Sequence, residues 1–120
     1  MQVMKNALGI SLFVAGSIFG AQAIAIDFVE AAPKQAKVLV DNDKVRVIHA
    51  TFRKGDKVPA HSHPDIVVYI LKEGKVKFTN ADGKVVESDP KVGEAFFRPA
   101  VTHSHEHLED SEAVIVELKK

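Results

Sequence analysis

The chain has no cysteine, and its charges cancel. Without cysteine there is no thiol nucleophile and no thiolate zinc site. An exported form would also have no disulfide to hold it. Stability must then come from side chains packed together, with bound metal as a second source. Lys and Arg number 16, Asp and Glu also 16, giving a formal net charge of zero. No basic stripe is present, which argues against nucleic acid as a partner. No polybasic helix offers itself to a membrane surface. A Ser-His-Asp layout, a glycine-rich phosphate loop and a paired-carboxylate motif are all missing, and no helical period of useful length follows Ala23.

What is present begins with an apolar N-terminal stretch. Met1 to Asn6 contains Lys5 and no acid, Ala7 to Phe19 is almost purely apolar, and Ala21-Gln22-Ala23 follows. A basic start, a short apolar run and a small-x-small site form the layout of a secretory signal peptide. The run falls short of the roughly 20 residues a membrane span needs. Residues 1–23 are therefore expected to be a signal peptide cleaved after Ala23, with a periplasmic or secreted mature chain and no membrane attachment. An uncleaved anchor is the alternative. The remainder suffices for one modest core. Residues 24–37 read as a lead-in segment in which Pro33 interrupts regular structure, and 38–120 as the domain.

Within that domain, short runs of β-branched and aromatic residues alternate with turn signals. Strands are expected at Val38–Val40, Val45–Phe52, Ile66–Leu71, Val76–Thr79, Lys84–Glu87, Ala95–Arg98, Thr102–His107 and Ala113–Leu118. Ala81-Asp82-Gly83 carries the Asp-Gly hairpin signal. Short strands in such number suit a jelly-roll barrel, whose lumen can hold a small ligand.

Histidine carries the chemistry. His61 and His63 are separated by one residue, and His103, His105 and His107 repeat the spacing. Side chains alternate faces along a strand, so each set points its imidazoles one way. Two imidazoles from one strand and a third from a distant one can grip a divalent metal ion. By the same parity Val67 and Tyr69 are expected inward beside His61 and His63, barring a bulge. Asp65 is the nearest carboxylate to the pair. Arg98 falls near the lumen mouth, where it could attract an anion or pair at the surface. His49 reads as an ordinary strand residue, and Phe52, Phe78, Phe96 and Phe97 as core and lumen wall.

The frame around these histidines resembles the cupin superfamily of small β-barrels. The first cupin motif is Gly, five residues, His-x-His, three or four residues, Glu, six residues, Gly. Gly55, His61, His63 and Gly74 match it, and the Glu slot falls on Val67. The second motif is Gly, five residues, Pro-x-Gly, two residues, His, three residues, Asn. Gly93 and Pro99 match; Val101 replaces the Gly, His103 comes one residue early, and His107 takes the Asn slot.

The resemblance implies an all-β fold of the cupin-type double-stranded β-helix, a jelly-roll barrel. It implies a divalent transition metal (Fe, Zn, Mn or Ni) on His61, His63 and His103, with His105 the competitor for the third place. His105 and His107 are the candidate acid or base, since imidazole titrates near neutral pH. Cupins with a three-His iron site support dioxygen-dependent oxidation of small molecules, so a small-molecule ligand is the expected partner. Zinc with three histidines and a water is the other option. A non-catalytic small-ligand or metal-binding module is the alternative function, and a structural cupin with vestigial histidines a third. A homodimer is expected from the resemblance and from the Val38–Val40 edge.

Overall fold

The computed structural model describes residues 25–120, and the expected signal peptide with its cleavage site at Ala23 lies outside them. Ten strands and one helical turn follow in order: β1 (Ile26–Asp27), α1 (Phe28–Ala31), β2 (Ala36–Asp41), β3 (Val45–Phe52), β4 (Lys57–His63), β5 (Ile66–Lys72), β6 (Val76–Asn80), β7 (Val85–Ser88), β8 (Ala95–Arg98), β9 (Val101–His107) and β10 (Ser111–Leu118). They form two five-stranded sheets, ordered β1-β4-β9-β6-β7 and β2-β3-β10-β5-β8. All pairings are antiparallel except the short parallel one between β1 and β4. The all-β jelly-roll architecture expected from the sequence is the one observed. Among the described residues, no helix is long and apolar enough to cross a membrane.

The two sheets face each other, and the core sits between them. The second sheet contributes Ile48, Ala50 and Phe52 from β3, Ile66, Val68 and Ile70 from β5, and Ile115 from β10. This face is aliphatic because alternate positions of these β-branched runs are apolar. The first sheet turns its histidines inward instead: His61 and His63 on β4, His103, His105 and His107 on β9, all buried.

A bulge sets the orientation of β4. His103 pairs with His61, but His105 pairs with Val58, so β4 carries one residue more than β9 across that interval. The extra length falls at Pro59-Ala60. Proline has no N–H to give a ladder, and bulges are where strands accommodate it. Val58 and His61, of opposite parity, therefore both point into the barrel.

The next connection corrects one expectation. Val67 and Tyr69 do not share the face of His61 and His63. Pro64 and Asp65 carry the chain from one sheet to the other and shift the parity, so Ile66, Val68 and Ile70 are buried and Tyr69 is 45% exposed. With the longer spacing of the first motif the carboxylate slot falls on Val68, which is inward and apolar. Asp65 faces elsewhere, its Oδ1 accepting from the Ala100 amide at 2.9 Å.

The lead-in segment is more ordered than Pro33 implied. Asp27 caps α1, its Oδ2 accepting from the Val29 amide at 3.0 Å, as short polar side chains do at helix starts. The cap turns Phe28 into the core, where it is 1% exposed. Two glycines of the sequence frame have local reasons. Gly55 adopts φ +93°, and its amide donates to the His107 carbonyl at 2.8 Å. A Cβ on Gly74 would lie 2.1 Å from the Asp110 carbonyl oxygen, so only glycine fits there.

Candidate metal centre

His61, His103 and His105 each bring a ring nitrogen within 4.8 Å of the others. Ring centroids stand 4.9 Å apart for His61 and His103, 5.1 Å for His61 and His105, and 5.5 Å for His103 and His105. Imidazole nitrogens sharing a metal at about 2.1 Å lie roughly 3–4 Å from one another, so small ring movements would close this group on one ion.

Their hydrogen bonds favour that use. The His61 Nδ1 lies 2.8 Å from the Pro59 carbonyl oxygen. A carbonyl only accepts, so Nδ1 carries the proton and Nε2 keeps a bare lone pair. That Nε2 is buried with no partner, and both nitrogens of His103 are in the same condition. Buried polar atoms are nearly always satisfied, and three orphans in one cluster point to a missing ligand. His105 has Nδ1 at 2.8 Å from Nε2 of His107, whose own Nδ1 is 3.3 Å from the Ser111 hydroxyl. The second nitrogen of His105 is left for a ligand role.

Electrostatics agree. Burial lowers the pKa of His61 to about 4, of His103 to about 3 and of His107 to about 4, and pushes His105 down further still. Neighbouring imidazoles add to the effect at His61, His103 and His105. These rings are neutral at physiological pH, the form that ligates metal. The residues present thus fit a divalent transition metal.

His63 stands beside this group, its ring 4.8 Å from His61 and 5.4 Å from His103. Its nitrogens do not converge with the other three. Its Nδ1 instead lies 3.4 Å from Oε2 of Glu117. Of the expected ligands His61, His63 and His103, the fold brings all to one place, and His105 rather than His63 completes the converging set. His107 sits behind His105, stacked on Phe52 at 3.8 Å. Asp27 at the surface, partly buried Arg46 and buried Glu117 form a chain leading in to His63. Burial works to raise the Glu117 carboxyl, but hydrogen bonds with His63 and Arg46 outweigh it and hold it below the usual range.

Phe28 closes the cluster from one side, 5.1 Å from the His61 ring and 5.0 Å from that of His63. Phe28, Arg46 and Glu117 fall outside the motifs and spacings that mark the histidines in the sequence. Asp27 before an apolar run was a legible helix-cap signal. Glu117 shares parity with inward Ala113 and Ile115, an acid where a core residue belongs. A cavity of about 90 Å³ opens beside the histidines, lined by His63, His103, His105 and His107, by the apolar residues of β5, and by Phe78, Phe96 and Arg98.

A double-sheet barrel of this topology defines a class of fold, and solved structures share it. A cupin domain from Bordetella pertussis Tohama I is 27% identical, with a TM-score of 0.65, covering 71% of this chain and 92% of its own. A cupin 2 conserved barrel domain protein from Leptotrichia buccalis is 29% identical, TM-score 0.56, covering 70% of this chain and 40% of its own. A protein with a double-stranded β-helix domain from Klebsiella pneumoniae shares the fold at 17% identity, TM-score 0.55, covering 71% and 77%. No family model matches the chain, and no curated protein does. The chain belongs to the cupin superfamily.

Proposed function

We propose that this is a metal-dependent cupin holding one divalent first-row ion through His61, His103 and His105, and that it oxidises a small molecule. The observation that carries the reading is the trio of buried, unpartnered nitrogens on His61 and His103. Bound iron would supply dioxygen chemistry; bound zinc would supply a Lewis acid and an acidified water. Among the described residues no carboxylate joins the three converging histidines, so the ion would keep its full charge and favour anionic or chelating ligands. The protein's own part is to fix the rings: Pro59 orients His61, and His107 orients His105. His63, held by Glu117, stands near the cluster as a further group for proton handling or ligation.

Metal content by elemental analysis tests the ligand set. His61→Ala, His103→Ala and His105→Ala should each lose most of the metal, and His63→Ala should keep the larger part. Full occupancy in a His61/His103 double variant would sink the assignment. Oxygen uptake by the iron-loaded protein, assayed with thiols, diketones and small acids, tests the oxidation.

A second reading, a binding module without turnover, has one observation in its favour. His61 is fully buried beneath Phe28 and takes no part in lining the cavity. Ligand binding with no oxygen uptake for any metal would select it.

Export and self-association belong to the same proposal. The mature chain would start at Ile24 in the periplasm or outside the cell, which intact mass of the native protein tests. The dimer would form along β2, an edge strand whose Val38, Leu39 and Val40 are all exposed. A concentration-independent monomer mass in light scattering would refute it.

A further inference from the structure

The described residues include two partly buried arginines near the histidines, and they differ in one respect. Arg46 is clasped by Glu117 and Asp27, and this pairing outweighs the effect of its burial. Arg98 lines the cavity with His103 and His105, yet no carboxylate lies within ion-pair distance of it among the described residues. Its guanidinium rests over two rings, 5.0 Å from the Phe78 centroid and 5.6 Å from that of Phe96. Stacking on aromatic faces fixes the plane of the fork but leaves its N–H groups unspent. The two other charged side chains of the lining, Lys72 and Glu112, come from residues paired across β5 and β10. Opposite in sign, they leave the lining one net positive charge, and of its two cations Arg98 is partly buried while Lys72 is exposed.

Arg98 also lies close to the histidine cluster. Phe78 touches both: its ring stacks on His103 at 4.9 Å and carries Arg98 at 5.0 Å, so the sum of these caps their separation. The rest of the wall is mainly apolar, with Ile66, Val68, Ile70 and Phe96, and carries two serines, Ser88 and Ser111. A volume of about 90 Å³ holds roughly six to nine water-sized places.

We propose that Arg98 anchors the carboxylate of a small monocarboxylate whose apolar body fills this cavity and whose other end faces the histidines. A single planar fork matches a monoanionic carboxylate in bidentate fashion. The proposal deepens the metal-cupin reading, on which it rests for the role of the ligand's far end.

The test uses calorimetric titration of the full mature chain, metal-free and zinc-loaded, with hexanoate and benzoate as probes and hexanamide and benzamide as neutral matches. The acids should bind both forms, and the amides at least about tenfold more weakly. Arg98→Ala should erase that preference, and Arg98→Lys should keep part of it. Zinc content, measured on the same samples, should not change in either variant. Amides binding as well as acids, or Arg98→Ala binding acids like the unaltered protein, overturns the proposal. So does acid binding that needs zinc and ignores Arg98. Acid binding through Arg98 in a protein that takes up no zinc would uphold the anchor while removing the metal reading. The acid–amide comparison on the unaltered chain decides even if a variant fails to fold.

Discussion

His105 and His107 meet through a single hydrogen bond, Nδ1 to Nε2 at 2.8 Å, inside a buried wall. His107 is thus the group that sets which nitrogen His105 turns to the cluster. Replacing His107 by Ala should weaken metal binding about 10–100-fold, the usual effect of losing a ligand's outer partner. Zinc titration against a competing chelator measures this. Unchanged affinity would mean that His107 merely fills space against Phe52.

Phe28 should matter for stability beyond its place in a short helical turn. It is buried against Phe52, His61 and His63. Phe28→Ala should cost about 3–5 kcal/mol, as large-to-small changes do in a core. For a domain of this size each kcal/mol lowers Tm by about 4–8 °C. Thermal melting of the metal-free protein checks it, and a fall of only a degree or two would show that the segment is loosely attached.

The metal-free protein should lose stability in mild acid. Folded-state values of about 4 for His61 and His107 and about 3 for His103 lie below the ordinary 6.5. As pH falls from 6.5 towards 4, the unfolded chain takes up protons that the folded one refuses. The stability these rings contribute is present in full above 6.5 and is lost through that window. Each ring can add up to about 1.4 kcal/mol per pH unit to the slope. Asp27 and Glu117, held below the usual carboxylate range, add to the loss at lower pH. Melting curves from pH 8 to pH 4 should be flat at first and then descend; a Tm that rises between pH 6.5 and 5 contradicts the account.

Glu117→Ala should destabilise more than its single acidic group implies. It strands Arg46 beside Asp27 alone and leaves His63 without its partner. Breaking a fully buried pair costs about 3–5 kcal/mol; Arg46 is only partly buried and keeps Asp27, so the loss should fall at the lower end of that range. Glu117→Gln, which keeps the shape, should recover part of this in chemical denaturation. Equal loss in the two variants would show that charge rather than shape governs the position.

Much of the barrel was legible because its strands are half-buried and alternate. Val45–Phe52 and Ala95–Arg98 stand where their β-branched and aromatic runs placed them. The inward direction of His103, His105 and His107 followed from parity on one unbroken strand. Parity failed at Val67 because two residues, Pro64 and Asp65, switch the chain between sheets. His63 was grouped with His61 by the same rule, and correctly shares its face. Parity gives a face but not a ring torsion, and Glu117, distant in sequence, decides where Nδ1 of His63 turns. Phe28 lay beyond pattern reading because one helical turn is too short to show a period.

The chain of Asp27, Arg46, Glu117 and His63 ties the first described strand to the last. The histidine cluster is therefore enclosed only when both ends of the domain have docked. A partly folded barrel, with β9 paired but β10 or α1 still free, would present imidazoles to solvent without Phe28 above them or Glu117 beside them. Contacts that span most of a sequence form late. Selectivity for one metal over another would then be exercised by the finished barrel, and an ion caught earlier would have to be accepted or expelled as the two ends close.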